Sequence, residues 1–314
     1  MPDWLIERGI GETRAVRLKA GEIVEARVFL DGAVPAGAVL DARLASVGVP
    51  AIAEVAKEQY LLPGGAPGIT EGSRLVIEVT RERIPGFEPW KRPLARMTNE
   101  APRPALRLDA EDLAFPSPDD RLERAGWSDL LDEARNGVVR FAEGELRISP
   151  TPAMTLIDVD GRLPPFELAL AGAKAAAWTI LRHGIGGSIG IDFPTVGGKA
   201  QRQEIGTVVD SILPQPFERT AVNGFGFLQI VRARTRANLF ELAEDRPAFE
   251  ARALLRRAAL ERTGAVGLVA HPDVIAVIES RPGWIDALSR QVGGAVTLRS
   301  EPSLPIQGGY AEAA

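Results

Sequence analysis

The sequence contains no cysteine and only two histidines among its 314 residues. Without cysteine, the chain cannot form disulfides, use a thiolate as a nucleophile or bind zinc through sulfur. His183 and His271 stand far apart, each without a second histidine nearby, so we expect structural or surface roles for both. Acid–base catalysis centred on histidine is therefore not expected, which favours water activated by a metal ion.

Long apolar runs are absent as well. No run approaches the roughly 18 consecutive apolar residues that a membrane-spanning helix needs. The amino terminus lacks the basic-then-apolar plan of a signal peptide. We therefore expect a soluble cytoplasmic protein with no membrane partner.

Element patterns divide the chain into four regions. Residues 1–98 hold five short strand-like runs between Gly/Pro turns, which suit a small barrel or a curled sheet, OB-type barrels among them. Residues 99–136 are rich in proline and acidic residues and are typical of a linker with one short helix. Residues 137–245 predict an α/β core with a parallel or mixed sheet, and residues 246–314 predict a small α+β domain.

The most informative pattern in the core is a pair of strands that end in carboxylates. Residues 157–161 and 189–193 are such strands, and residues 166–184 between them have the length and Ala/Leu content of a crossover helix. A βαβ unit brings both strand ends to one edge of a parallel sheet. Asp158 and Asp160 would share a side there, with Asp192 on the neighbouring strand. Three such oxygen donors suit Mg²⁺ or Mn²⁺; alternatively, these aspartates are turn and cap residues.

The same core region also contains basic residues that could contact phosphate. Arg232, Arg234 and Arg236 alternate, so on a strand they would lie about 6.6 Å apart on one face, close to the phosphate repeat of an extended single strand. The alternative is a solvated sheet edge. Lys199 and Arg202, which follow the Asp192 strand, either neutralise phosphate charge or form the exposed side of a helix.

Three segments of the core resemble motifs of one known family. Residues 144–160 look like a strand pair ending in I-D-V-N, residues 186–193 like G-G-x-I-x-I-D-F, and residues 224–234 like R-F-G-L-L-E-M-x-R-x-R. These are motifs of the ribonuclease E/G family of bacterial endoribonucleases. Weaker similarity covers the family's opening strand, its OB-type RNA-binding barrel and its small carboxy-terminal domain, at residues 12–16, 51–63, 72–80, 271–274 and 296–298.

The resemblance implies a Mg²⁺-dependent endoribonuclease for RNA processing. Asp158 and Asp192 match the two aspartates that hold Mg²⁺, which activates a water for attack on an RNA phosphodiester. Asp160 stands where the family has a supporting asparagine, and would orient that water or add a ligand. Single-stranded RNA would be the partner and would be cut to leave 5′-phosphates, its backbone neutralised by Lys199, Arg202, Arg232 and Arg234.

The chain also departs from the family pattern. The 5′-phosphate-sensing segment and the two-cysteine zinc link are missing, so we expect cleavage indifferent to the 5′ end and no zinc-linked oligomer. Ile52 and Leu61 stand where the family has aromatic residues, and Thr195, Gly224 and Gln229 replace an aspartate, an arginine and a glutamate. Two alternatives therefore stay open: a non-catalytic RNA-binding protein with a decayed active site, and a metal-dependent phosphoesterase for small nucleotides or DNA.

Overall fold

A computed structural model describes residues 3–85, 91–105 and 108–313. The first two residues of the amino terminus, where no signal peptide is predicted, lie outside the described residues. Within the described ranges, no helix is both long enough and apolar enough to cross a membrane.

The first half of the chain is built mainly from strands. In chain order, it contains β1 (Trp4–Arg8), β2 (Glu12–Lys19), β3 (Glu22–Leu30), β4 (Val39–Ser46), β5 (Ala51–Val55), β6 (Glu58–Leu62), β7 (Arg74–Arg81), β8 (Leu94–Met97), β9 (Ala110–Leu113), α1 (Arg121–Arg124), α2 (Trp127–Asn136), β10 (Val138–Phe141) and β11 (Gly144–Pro150).

In the second half, strands and helices alternate. It contains β12 (Thr155–Gly161), α3 (Pro165–Arg182), β13 (Gly187–Asp192), α4 (Lys199–Ile212), β14 (Phe217–Arg219), β15 (Phe227–Arg232), α5 (Leu239–Glu244), α6 (Arg246–Glu261), β16 (Val266–Ala270), α7 (Pro272–Glu279), α8 (Pro282–Val292), β17 (Val296–Ser300), a 3₁₀ turn (Ile306–Gly308) and β18 (Tyr310–Ala313).

The chain folds into two compact units. Unit 1 comprises Met1–Asp31, Asp109–Ser128 and Leu242–Ala314, and unit 2 comprises Gly32–Leu108 and Asp129–Glu241. The architecture is mixed α/β, with a closed five-stranded barrel and several mixed sheets. This confirms the prediction of an α/β protein with a small barrel in its amino-terminal region.

The barrel of unit 2 consists of β4 to β8 in the order β4-β5-β6-β8-β7. It closes through antiparallel pairing of β4 with β7 and through a parallel bridge between Leu61 and Leu94. Alternate residues of these strands point inward and form an apolar core that includes Leu44, Tyr60 and Ile77.

The second sheet of unit 2 has the order β10-β11-β12-β13-β15-β14. β12 and β13 are parallel and α3 connects them, so the predicted crossover unit is confirmed. Ile157 and Val159 of β12 are buried, whereas Leu156, Asp158 and Asp160 are exposed. This period of two gives the sheet a face covered by helix and a face open to solvent.

Close packing of α3 holds the buried face of β12. A side-chain carbon at Gly172 would lie 2.3 Å from Val159 Cγ1. We expect Gly172→Ala to lower the free energy of unfolding by about 1–3 kcal/mol, because overpacking outweighs the better helix propensity of alanine. Urea denaturation measures the change. Gly197→Ala is the control, since that position has open space around it. Equal stability of the two variants would show that α3 can shift freely.

Unit 1 contains the mixed sheet β3-β2-β1-β9 and the three-stranded sheet β17-β16-β18. The predicted helix and strand succession of residues 246–314 is confirmed, including the break between α7 and α8. The segment predicted as a linker contributes β9, which pairs parallel with β1, and the helix α1. The amino-terminal β-rich region divides between this sheet and the barrel.

A network of buried charges joins β1 and β2 to α6 within unit 1. Arg14 Nη1 lies 2.6 Å from Glu7 Oε1, and its Nε lies 2.8 Å from Glu12 Oε1. From α6, Arg252 Nε lies 2.8 Å from Glu12 Oε2, and Arg256 Nε lies 3.0 Å from Glu7 Oε1. The side chains of these five residues are each at most 9% exposed, so both glutamate charges are compensated by arginines inside the protein.

Candidate functional site

Two aspartates lie side by side on the open face of the six-stranded sheet. Asp158 of β12 and Asp192 of β13 are direct register partners in the parallel pair, with strands about 4.8 Å apart. Both are exposed. Asp160, two residues beyond Asp158, lies on the same face at the end of β12. The three predicted carboxylates therefore lie on one face of the sheet, with Asp158 and Asp192 as direct neighbours.

A single arginine faces this group. Arg147 of β11 is the register partner of Asp158, and its Nε lies 3.7 Å from Asp160 Oδ2. Its Nη2 also donates to Glu145 Oε1 at 2.6 Å. One exposed guanidinium is thus shared among several carboxylates, so the negative charge of the face is only partly compensated.

The electrostatics of Asp158 reflect this excess of negative charge. Partial burial, followed by repulsion from Asp160 and Asp192, raises the pKa of the Asp158 carboxyl above its ordinary value. Arg147 and a backbone hydrogen bond oppose the shift without cancelling it. A bound cation would relieve the same repulsion.

This balance can be tested directly. We expect Asp192→Asn to lower the pKa of Asp158, because it removes one of the two repelling charges while keeping the side-chain shape. Carbon-detected NMR titration of the carboxyl groups in metal-free protein measures it. Asp41→Asn is the control, because Asp41 is an exposed carboxylate on the barrel strand β4. An unchanged Asp158 pKa in Asp192→Asn would mean that the two carboxylates do not interact.

The four predicted RNA-binding residues lie in different environments. Lys199 is exposed at the first residue of α4, whereas Arg202 Nη1 donates to the carbonyls of Val196 and Gly197 at 3.1 and 2.9 Å. Arg202 therefore stabilises the loop that follows Asp192 through these two hydrogen bonds. Both residues line a groove of about 510 Å³ together with Gln203, Thr207, Arg219, Ala221 and Val222.

The alternating arginines do not share one strand. β15 ends at Arg232, whose Nη1 donates to the Ile185 carbonyl at 3.4 Å. Arg234 lies beyond the strand and is paired with Glu241 at 2.5 Å. The interpretation that placed Arg232, Arg234 and Arg236 on one strand face is therefore wrong.

His183 lies away from the open face. It follows α3, it is fully buried, and its Nε2 lies 3.0 Å from Glu133 Oε2. Burial lowers the pKa of its imidazole, while Glu133 opposes that shift. The position agrees with the structural role expected for this histidine.

Sequence reasoning missed two side chains near the aspartates. Arg147 faces Asp158 only because of the register of the β11–β12 hairpin, which the turn between the strands sets. Phe225 is 83% exposed. The turn that carries it lies next to the end of β13, where the Phe193 amide donates a hydrogen bond to the Gly226 carbonyl. The exposure of an apolar ring has no signature in the sequence.

The chain matches no protein-family model and no curated protein. Among the described residues, no group of three or more histidine, aspartate or glutamate side chains is already arranged around a common metal position. The two paired aspartates and their surroundings therefore define the chemistry available at this site.

Proposed function

We propose that this protein is a metal-dependent endoribonuclease that cuts single-stranded RNA in the cytoplasm and leaves 5′-phosphate ends. It would be a short member of the ribonuclease E/G family. The observation that carries the proposal is the register pairing of Asp158 with Asp192 on the open face of a mixed sheet. In the family motifs that this chain resembles, these two positions hold the metal.

The donor set fits Mg²⁺ or Mn²⁺. Mg²⁺ is usually held by one or two carboxylates and keeps several waters, so two exposed aspartates are sufficient. The pKa of Asp158 is raised first by partial burial and then by repulsion from Asp160 and Asp192, and a divalent cation would relieve that repulsion. When bound, the ion would supply an activated water and stabilise charge on the phosphate.

The residues of the chain would carry the remaining tasks. Asp158 and Asp192 would hold the ion, and Asp160 would accept a hydrogen bond from a bound water beside it. Lys199, exposed at the start of α4, would contact the RNA backbone through the groove that it lines with Arg202. Arg232 is the register partner of Gly187 at the start of β13, at the opposite end of that strand from Asp192, and Arg234 is paired with Glu241, so neither is assigned a phosphate contact at the aspartates.

The barrel supports the RNA partner. Its strands pair in the order 1-2-3-5-4 and close through strands 1 and 4, with the third and fifth strands parallel. This is the strand order of OB-type barrels, which bind oligonucleotides on their surface. We therefore assign the five strands β4 to β8 to an OB-type barrel that guides the RNA toward the aspartates.

Cleavage of a labelled single-stranded RNA tests the proposal. We expect internal cuts with 5′-phosphate ends in Mg²⁺, no cuts in the presence of a chelator, and equal rates for substrates with 5′-triphosphate and 5′-monophosphate. Recovery of cleavage after Mg²⁺ is restored controls for damage to the protein. Cuts that persist in the chelator, or cuts only in DNA or small nucleotides, would refute the proposal.

A second function is favoured by one observation. Arg147 lies 3.7 Å from Asp160 and therefore competes with a metal ion for that carboxylate. In a non-catalytic RNA-binding protein, such a contact would replace the ion. Equal RNA affinity with and without Mg²⁺, combined with the absence of cleavage, would support that alternative.

A further inference from the structure

One aromatic ring beside the acidic edge is held in solvent. Among the large apolar side chains of the described residues, Phe225 is the most exposed, at 83%. It lies in the turn before β15, whose first residue Phe227 is the register partner of Asp192. Phe225 therefore lies two residues along the chain from Phe227, which pairs with Asp192, the neighbour of Asp158.

The turn that carries Phe225 is firmly constructed. Asn223 Oδ1 accepts hydrogen bonds from the amides of Phe225 and Phe227 at 2.9 and 3.0 Å, and Thr195 Oγ1 donates to the Phe225 carbonyl at 3.2 Å. Gly226 has φ +96°, and a side-chain carbon there would lie 2.2 Å from the Phe193 carbonyl oxygen. Both backbone groups of Phe225 are therefore fixed, and only its ring is left to solvent.

A second ring, that of Phe227, lies on the open face of the sheet beside Asp192. A side-chain carbon at Gly190 would lie 2.5 Å from Phe227 Cζ and 3.1 Å from Leu156 Cδ2. Phe227 therefore lies over the backbone of β13 at a glycine, on the same face as Asp192. An apolar strip consequently runs beside the carboxylates.

We propose that Phe225 stacks on an unpaired nucleobase next to the phosphate that a metal ion held by Asp158 and Asp192 would bind. This inference rests on the proposed function and names a base-binding position within it. A single fixed ring next to a phosphate site suits one base, because every base offers a flat face for stacking. The barrel lacks aromatic residues at its cross-strand pair Ile52 and Leu61, so the stacking surface would lie at the catalytic sheet instead.

Substitutions at residue 225 test the ring itself. Phe225→Leu keeps apolar volume but removes the ring, and we expect about tenfold weaker RNA binding in chelator and a similar rise in KM in Mg²⁺, with kcat nearly unchanged. Phe225→Trp should restore both. Trp178→Leu is the matched control, since it removes a partly exposed ring from α3, the helix that packs on the opposite face of the sheet.

An RNA with one abasic ribose, moved along the strand, identifies the base. Wild-type protein should lose about tenfold in kcat/KM at one abasic position, and Phe225→Leu should lose nothing further there. The stacking inference is wrong, while the nuclease stands, if Phe225→Leu binds and cleaves RNA like Trp178→Leu. The same holds if the decrease in kcat/KM caused by Phe225→Leu adds to the decrease caused by the abasic ribose at every position. If wild-type protein binds RNA through Phe225 but never cleaves, the nuclease is wrong while stacking stands. Failure to bind RNA would overturn both.

Discussion

Replacing Asp158 by asparagine is expected to reduce Mg²⁺-dependent RNA cleavage on the order of a thousandfold. Asparagine preserves the size of the side chain but removes the charge that would hold the cation opposite Asp192. Because the two carboxylates would act on one ion, Asp192→Asn should have a similar effect, and the double variant should be little worse than either single one. Single-turnover cleavage of a labelled RNA measures all three variants.

Two controls separate loss of the site from loss of the fold. Asp286→Asn changes an exposed carboxylate on α8 of unit 1 and should cleave like the wild type. Thermal unfolding of Asp158→Asn should give a midpoint no lower than that of the wild type. The carboxyl of Asp158 has a raised pKa when folded, so its ionised form opposes folding near neutral pH, and neutralising it relieves that repulsion. Retention of cleavage within tenfold in Asp158→Asn would remove the aspartate from the mechanism.

Truncation of Arg256 is expected to have the largest effect on stability, about 3–5 kcal/mol. Its guanidinium contacts Glu7 and also Asp120, at 2.7 and 2.9 Å, and its side chain is 5% exposed. Arg256→Ala would leave two carboxylates near a cavity with no counter-charge from α6. The cost is large because Glu7, whose side chain is 5% exposed, would lose one of its two arginine partners inside the protein.

The decrease is measured as the loss in urea-denaturation free energy of the transition that reports unit 1. Arg299→Ala serves as the matched control, because Arg299 pairs with Glu312 on the surface with side chains 53% and 44% exposed. Exposed pairs of this kind contribute little to stability, because solvent screens the charges and the side chains lose entropy when they pair. Equal losses in Arg256→Ala and Arg299→Ala would contradict the view that burial makes the network costly to break.

The sequence predicted the core elements whose patterns are regular. In β12 apolar and acidic residues alternate, and α3 starts with proline at its first turn and continues with alanine and leucine. Local pattern and tertiary environment agree in these segments, which is why the pairing of Asp158 with Asp192 could be expected.

Other features depended on contacts distant in sequence. β9 reads Ala-Glu-Asp-Leu, a poor strand sequence, and becomes a strand because β1 pairs with it. The partner of β9 is about a hundred residues away along the chain, so no local pattern predicts this strand. Arg234 lies beyond β15, which ends at Arg232, and pairs with Glu241 of the next helix, so the alternation of arginines alone did not predict its position.

The order in which the chain is synthesised matters for unit 1. Glu7 and Arg256 are 249 positions apart, and all three chain segments of this unit contribute to its compact structure. At about 5–20 residues per second, a ribosome would take roughly 10–50 s to deliver the arginine after the glutamate. During that time Glu7, Glu12 and Arg14 have no partners on α6. Unit 2 ends at Glu241, so all its segments are made before Arg252 and Arg256 are added. The unit that carries the aspartates would therefore be the first to complete its fold.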